Sequence, residues 1–272
     1  MVPSINSVYC KIVFAIYHQR MINYTLISPS GNDTIIVNSP VSRDEQREIS
    51  LLLLDKHKNA EQVGFLEQGG KRLQMAGGEF CCNASRAFGF FLLEGRDGKV
   101  EFEVSGTTFP VICEVKNEKS KIKLDVNLSF NDLIEEKDGA TLVKLDGIVH
   151  LVIENTSLLY KDADKDYANF LLEEFGLKRE IASGILFVDE NKLTPFVYVK
   201  KINTLYAETA CGSGSIATAI YKTYKNYKTT NNIFNLRQPS GQSLEISLII
   251  ENNFVESAFV DGKVKILENG MV

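Results

Sequence analysis

Two cysteine-bearing stretches carry residue types and spacing that could do chemistry. The first reads Gly77-Gly78-Glu79-Phe80-Cys81-Cys82-Asn83-Ala84-Ser85-Arg86-Ala87-Phe88. The second reads Tyr206-Ala207-Glu208-Thr209-Ala210-Cys211-Gly212-Ser213-Gly214-Ser215-Ile216. Each sets an acidic residue just before a cysteine, then small polar residues, then an apolar run of helical spacing. A helix opens with unpaired N–H groups and the positive end of its dipole, a place that favours a thiolate or a carboxylate. Thiols there can titrate at about 3.5–7.5 instead of about 8.5. Two such termini facing one another would hold a substrate carboxylate between two sulfurs. That arrangement suits removal of a proton from one face of an α-carbon and delivery of one to the other.

The residues around the two thiols carry competing readings. By register with the acidic residue and the helix, Cys81 is the reactive thiol of the first stretch. Cys82 fills the first turn, where packing is the simpler role and where glycine would give a ligand closer access to the backbone. Glu79 and Glu208 either balance a helix dipole or hold a substrate ammonium. Asn32 sits in the turn Pro29-Ser30-Gly31-Asn32-Asp33, a structural position more often than a ligand-facing one. His150 lies in Gly147-Ile148-Val149-His150-Leu151-Val152 and is either a hydrogen-bonded core histidine or the base of a cysteine hydrolase built with Cys82. Cys81-Cys82 lacks the gap of zinc ligands, and Gly69-Gly70-Lys71 lacks the rest of a phosphate loop.

The elements that must position these groups come from pattern. Strands are expected at Tyr24–Ser28, Thr34–Asn38, Gln62–Leu66, Arg72–Ala76 and from Val100 to Lys123, with Cys113 as a small core residue. Ser42-Arg43-Asp44-Glu45 has capping-box form and opens a helix expected to serve packing alone. The helix from Asn83 to Leu93 is apolar nearly all round and therefore buried. A polar stretch, Asn131–Ala140, divides the chain, and the order then repeats. Strands follow at Thr141–Leu145 and Ile148–Glu154, with a helix from Asp164 to Phe175 closed by Gly176. Strands at Gly184–Val188 and Pro195–Val199 lead to the second cysteine helix, from Gly212 to Tyr224. Strands at Ile233–Leu236, Leu244–Ile250, Val255–Val260 and Val264–Leu267 end the chain. The organisation expected is residues 1–20 as an added extension, 21–131 as a half carrying Cys81 and 132–272 as a half carrying Cys211, with the last strand able to return to the first half.

The chain has 272 residues, 44% of them hydrophobic, enough for a large core in two domains. A net charge of −5 gives no basic footprint for nucleic acid or anionic membrane, which leaves small ligands as partners. Five cysteines without framework spacing read as reduced thiols of a cytoplasmic protein. The apolar run Ile12–Tyr17 is a poor signal peptide, and no run has the length of a membrane span.

The chain resembles the diaminopimelate epimerase superfamily of cofactor-independent amino-acid racemases over nearly everything from Met21 onward. The family's Gly-Asn-Asp is Gly31-Asn32-Asp33, and its Cys-Gly-Asn-Gly-Ala-Arg reads Cys81-Cys82-Asn83-Ala84-Ser85-Arg86. Its Ala-Cys-Gly-Ser/Thr-Gly is Ala210-Cys211-Gly212-Ser213-Gly214. The resemblance implies an α/β (α+β) fold of two pseudo-symmetric halves, each a mostly antiparallel barrel-like sheet around a central helix, with the substrate between the two helix N-termini. It implies an isomerase with Cys81 and Cys211 catalytic and no cofactor or metal. Asn32, Gln62, Glu79, Cys82, Asn83, Ala84, Tyr206, Glu208, Gly212 and Ser213 would bind the amino-acid substrate. A homodimer stays open.

Where diaminopimelate epimerases carry a Glu-Arg pair and asparagines for the distal end of the substrate, this chain has Ile202-Asn203-Thr204-Leu205-Tyr206, Gly147-Ile148-Val149-His150 and Ala182-Ser183-Gly184. With Ser28–Asn32, Glu61–Phe65, Gly78–Cys81 and Gln238-Pro239-Ser240-Gly241, it is most similar to the histidine racemase branch associated with opine-type metallophores. Interconversion of L- and D-histidine is the expected activity, ahead of diaminopimelate epimerisation, with Tyr206 and Asn32 as contacts for the imidazole. A cysteine hydrolase and a non-catalytic amino-acid binding protein are the alternatives from other classes. Facing thiols also predict reversible inactivation on oxidation.

Overall fold

A computed structural model describes residues 21–225 and 232–272; the extension expected at 1–20 lies outside them. The first half runs β1 (Asn23–Pro29), β2 (Asp33–Val37), α1 (Arg43–Lys56), β3 (Ala60–Glu67), β4 (Arg72–Met75), α2 (Cys82–Leu92), β5 (Gly98–Val104), β6 (Val111–Lys116) and β7 (Lys119–Ser129). A short helix, α3 (Phe130–Leu133), leads into the second half. There β8 (Ile134–Lys137), β9 (Ala140–Leu145), β10 (Ile148–Glu154), α4 (Lys165–Glu174), β11 (Ala182–Asp189), β12 (Lys192–Val199) and β13 (Thr204–Ala207) precede α5 (Gly212–Lys225). Finally come β14 (Ile233–Arg237), β15 (Ser243–Glu251) and β16 (Phe254–Met271).

Strands pair in the order β1 to β7, then β16, and β16 returns to β1, so eight strands close a barrel. On the other side of β16 the sheet continues through β15, β14, β12, β11, β10 and β9 to β8. Most pairings are antiparallel, with parallel ones at β2–β3, β4–β5, β10–β11 and β12–β14. The fold is the expected mixed α/β one. The last two strands expected from the sequence are one: Asp261-Gly262-Lys263 continues β16 through its pairing with β7 instead of turning. A Cβ on Gly262 would stand 2.5 Å from Ser30 Oγ and 2.7 Å from Arg86 Nη2, so glycine there marks close packing.

Helix α2 fills the barrel and is buried from Cys82 to Phe90. Gly89 lets it lie against β6, since a Cβ there would meet Cys113 Sγ at 2.2 Å. Cys113 is the core residue expected, fully buried with its sulfur 3.2 Å from Ser120 Oγ. Arg86 is buried too and ties α2 to its surroundings. Its Nε donates to Ser120 O (2.9 Å) and its Nη2 to Ser30 Oγ (3.2 Å). In the second half α5 packs on the inner face of the sheet through Ile216, Ala217, Ala219 and Ile220. Leu171, Leu172 and Phe175 of α4 cover its other face. The Ser42–Glu45 box forms as expected, Ser42 N–H donating to the Glu45 carboxylate at 3.0 Å. Helix α1 does more than pack, however: Arg43, Arg47, Ser50, Leu51 and Leu54 line the central cavity.

Candidate active site

The two buried helices meet N-terminus to N-terminus. Cys81 is the N-cap of α2, and its sulfur accepts the Ala84 N–H (3.4 Å), the hydrogen bond that a serine or aspartate cap would make. Cys211 stands just before α5, and its sulfur accepts the Gly214 N–H (3.3 Å). Asn83 Nδ2 reaches across to Ala210 O at 2.7 Å, joining the opening of one helix to the residue before the other cysteine. The approach demands glycine at 212, because a Cβ there would lie 2.4 Å from Cys82 Cβ. Cys82 is therefore buried packing between the termini, as preferred from the sequence. Burial pushes its thiol up to about 12.

A cavity of about 530 Å³ opens over this junction. Cys81, Cys211, Cys82, Gln62, Glu79, Asn83, Tyr206, Glu208, Gly212 and Ser213 all lie on its wall. Two of the residues expected to bind ligand do not. The Ala84 amide is spent on the Cys81 sulfur. Asn32 is fully buried behind the wall, its Nδ2 donating to Glu61 Oε2 at 2.5 Å and its Oδ1 accepting from Gln62 Nε2. A direct contact between Asn32 and an imidazole is corrected to a supporting position, because both ends of its amide are engaged.

That support forms a chain. The Cys81 thiol donates to Gln62 Oε1 (2.9 Å), Gln62 to Asn32 and Asn32 to Glu61. The Glu61 carboxylate accepts the Thr209 N–H (3.0 Å) and hydroxyl from the second half, two residues before Cys211. Strand β3 thus supplies two adjacent residues that converge on Asn32, because the register with β2 shifts at Glu61 and breaks the usual alternation. On the far side the Cys211 N–H donates to Gln238 Oε1 (3.0 Å), and Gln238 Nε2 donates to Ser215 Oγ (3.1 Å). His150 is fully buried, with Nε2 3.1 Å from Ser213 Oγ, itself 3.6 Å from Cys211 Sγ. Burial lowers His150 to about 3, so it is a neutral ring holding a serine. Glu61, Thr209 and Gln238 were not singled out as site residues, although each lies in a stretch quoted above, Glu61–Phe65, Tyr206–Ile216 and Gln238–Gly241.

Burial dominates the electrostatics. It pushes both catalytic-candidate thiols well above the ordinary thiol value, and the Glu208 carboxylate raises each further. The low thiol value expected at a helix terminus is corrected accordingly, since desolvation outweighs the sulfur-directed amides. Glu208 is itself pushed up to about 8, first by burial and then by the neighbouring Glu61 charge. Glu61 and Glu79 are raised as well, mainly by burial. The far wall carries Ile148, Ala182 and Ile202 from the stretches expected there, joined by Val197 and Val199 of β12, but exposed Arg43, Arg47 and Lys201 add cations at the mouth.

The family model described as the histidine racemase CntK N-terminal domain matches residues 21–272. A histidine racemase of Fusobacterium nucleatum is 30% identical, covering 93% of this chain and 97% of the relative. The chain belongs to the histidine racemase family. A histidine racemase of Staphylococcus aureus is 26% identical, over 85% of this chain and 90% of its own. Among solved structures, an epimerase of Pseudomonas aeruginosa identified by prediction superposes with a TM-score of 0.60 or better, namely 0.63, at 12% identity, covering 92% of this chain and 99% of that one. It shares the fold. Membership in this family meets the expectation of an isomerase, an amino-acid racemase. Among the described residues no helix is long and apolar enough to cross a membrane.

Proposed function

We propose that this racemase interconverts L- and D-histidine by a two-base exchange between Cys81 and Cys211, with neither pyridoxal phosphate nor a metal. The observation that carries this reading is the head-to-head pair of helix N-termini, each capped by a cysteine sulfur, on one cavity. The substrate carboxylate sits at the first turns of α2 and α5, near the amides of Asn83, Gly212 and Ser213, whose N–H groups have no partner within the helix. Glu208, whose charge both thiols feel, holds the α-ammonium. One sulfur, as thiolate, takes the α-proton. The electron pair moves onto the carboxylate, where both helix dipoles favour the enediolate-like charge. The thiol on the opposite face then gives its proton to the α-carbon, and the two sulfurs have exchanged states. Gln62 and Ser213 orient the sulfurs. Both thiols must stay reduced, which suits the cytoplasm.

Incubation of L-histidine in D₂O tests the proposal. Deuterium should enter the α-carbon with inversion, and Cys81→Ser and Cys211→Ser should each nearly abolish racemisation. Full activity in either variant refutes the two-base assignment. A covalent acyl intermediate without α-exchange would identify a hydrolase, and saturable binding without turnover a binding protein.

A further inference from the structure

The hydrogen bonds that reach the two sulfurs run in opposite directions. Glu61 ends the chain that starts at Cys81, and donors surround its carboxylate: the Asn32 amide at 2.5 Å, and the Thr209 N–H at 3.0 Å with its hydroxyl. An ionised carboxylate only accepts, whereas a side-chain amide has one donor end and one acceptor end. Glu61 therefore turns Asn32 Nδ2 toward itself, which leaves Asn32 Oδ1 for Gln62 Nε2 and Gln62 Oε1 for the sulfur. Thr34 Oγ1, 3.2 Å from Gln62 Nε2, accepts in the same order. Cys81 thus meets an acceptor at 2.9 Å, a contact that suits a thiol and disfavours a thiolate.

Cys211 meets donors. The Gly214 N–H points at its sulfur (3.3 Å), and the Ser213 hydroxyl lies 3.6 Å away. His150 decides which way that hydroxyl turns. Its Nδ1 is buried without a partner, and a Cβ on Gly184 would run into it, so that nitrogen is the bare one and the ring proton is on Nε2. Nε2–H then donates to Ser213 Oγ (3.1 Å), and the serine proton is left for Cys211. Glu208 raises both thiols and is taken up by the ammonium once substrate is bound, so it leaves the asymmetry in place.

We propose that Glu61 and Ser213 are positioning residues that set the order of the exchange, so that Cys81 meets the substrate as the thiol and Cys211 as the first base. The proposal rests on the racemase reading above and assigns acid and base within it. Glu61 acts on the sulfur only through Asn32 and Gln62. After one turnover Cys211 holds the former α-proton, and Cys81, having given its own proton to the α-carbon, is a thiolate facing an acceptor. Loss of one proton to solvent at Cys211 and gain of one at Cys81 restore the starting pair.

Glu61→Gln tests this because it keeps the shape and lets the chain reverse. The new amide nitrogen can donate to Asn32 Oδ1, Asn32 Nδ2 to Gln62 Oε1, and Gln62 Nε2 to the Cys81 sulfur, while the new amide oxygen still takes the Thr209 N–H. Alkylation by iodoacetamide at pH 8 without substrate, read separately at Cys81 and Cys211 by peptide mass spectrometry, follows each thiolate. Thermal unfolding of each variant accompanies it. In Glu61→Gln the Cys81 rate should rise about 10- to 100-fold, as a donor to the charged sulfur replaces an acceptor, with Cys211 unchanged. In Ser213→Ala the Cys211 rate should fall about 5- to 10-fold with Cys81 unchanged. If Glu61→Gln does not fold, Ser213→Ala decides alone. An unchanged Cys81 rate in the first variant, an unchanged Cys211 rate in the second, or both sulfurs changing alike as a loosened site would make them, overturns the inference while leaving the racemase reading intact. Wild type that exchanges no α-deuterium into histidine would instead mean that the racemase reading itself has failed.

Discussion

Glu208 costs the fold stability at neutral pH, and Glu208→Gln should return it. An unfolded glutamate titrates near 4.3, whereas burial and the Glu61 charge push Glu208 up to about 8. A carboxyl raised on folding is penalised in its ionised form. The penalty is absent below about pH 4, grows as pH rises through the window between the two values, and is complete above about pH 8. Each unit is worth about 1.4 kcal/mol, which gives about 4 kcal/mol at pH 7. Part of the carboxyl faces the cavity, where water screens it, so about 2–4 kcal/mol is expected. Glutamine keeps the shape and a hydrogen-bonding amide for Cys211 while removing the titration. Urea unfolding of both proteins at pH 5, 6, 7 and 8 measures the effect. The variant's advantage should widen steadily with pH while racemisation is lost, as befits a group placed for function at the expense of stability. A difference that stays constant across that range, or a wild type that gains on the variant toward pH 8, would refute the argument.

Three other outcomes are expected. Gly212→Ala should destabilise the helix junction and cut activity, because its methyl would lie 2.4 Å from Cys82 Cβ; Cys82→Gly should be tolerated alone and should rescue Gly212→Ala, as read by thermal unfolding and racemisation. Because both thiols are raised, kcat/KM for histidine should climb with pH beyond about 8 as the first sulfur ionises, and a plateau reached by pH 7 would contradict it. Diaminopimelate should be poorer than histidine by at least about 100-fold in kcat/KM, since its distal ammonium would be desolvated against an apolar wall with Arg43, Arg47 and Lys201 at the mouth; the two substrates measured on one preparation decide this.

The two cysteine helices could be read because a reactive sulfur at a helix opening leaves a local trace: an acidic residue, a cysteine, small residues, then an apolar run. Strands around them were visible for the same reason, since their pattern is local. What escaped depends on distant partners. Asp261-Gly262-Lys263 has the composition of a turn, and only Ser30 and Arg86, more than 170 positions earlier in the chain, make glycine a matter of space there. Glu61 is an ordinary strand carboxylate until Thr209 arrives from the other half. Arg43 and Arg47 read as the solvent face of an amphipathic helix, and nothing in that helix says that the solvent is the mouth of the cavity. The thiols' raised titration is likewise a property of enclosure, which a local reading of helix dipoles omits.

Strand β16 gives the molecule a single keel. Its first ten residues pair with β7 on one side, and through Asp261 with β15 on the other; from Val264 to Met271 it pairs with β1 and shuts the barrel. A chain cut after Leu133 would release a barrel with a missing stave, exposing the β1 and β7 edges to pairing with other copies. Removing only the last eight residues would open the same seam while leaving the Cys211 half its own strands. The first barrel can accordingly close only once Val264–Met271, far along the chain from β1, has been made and has paired with it. Because barrel and second sheet share this one strand, unfolding either half strips a neighbour from the other.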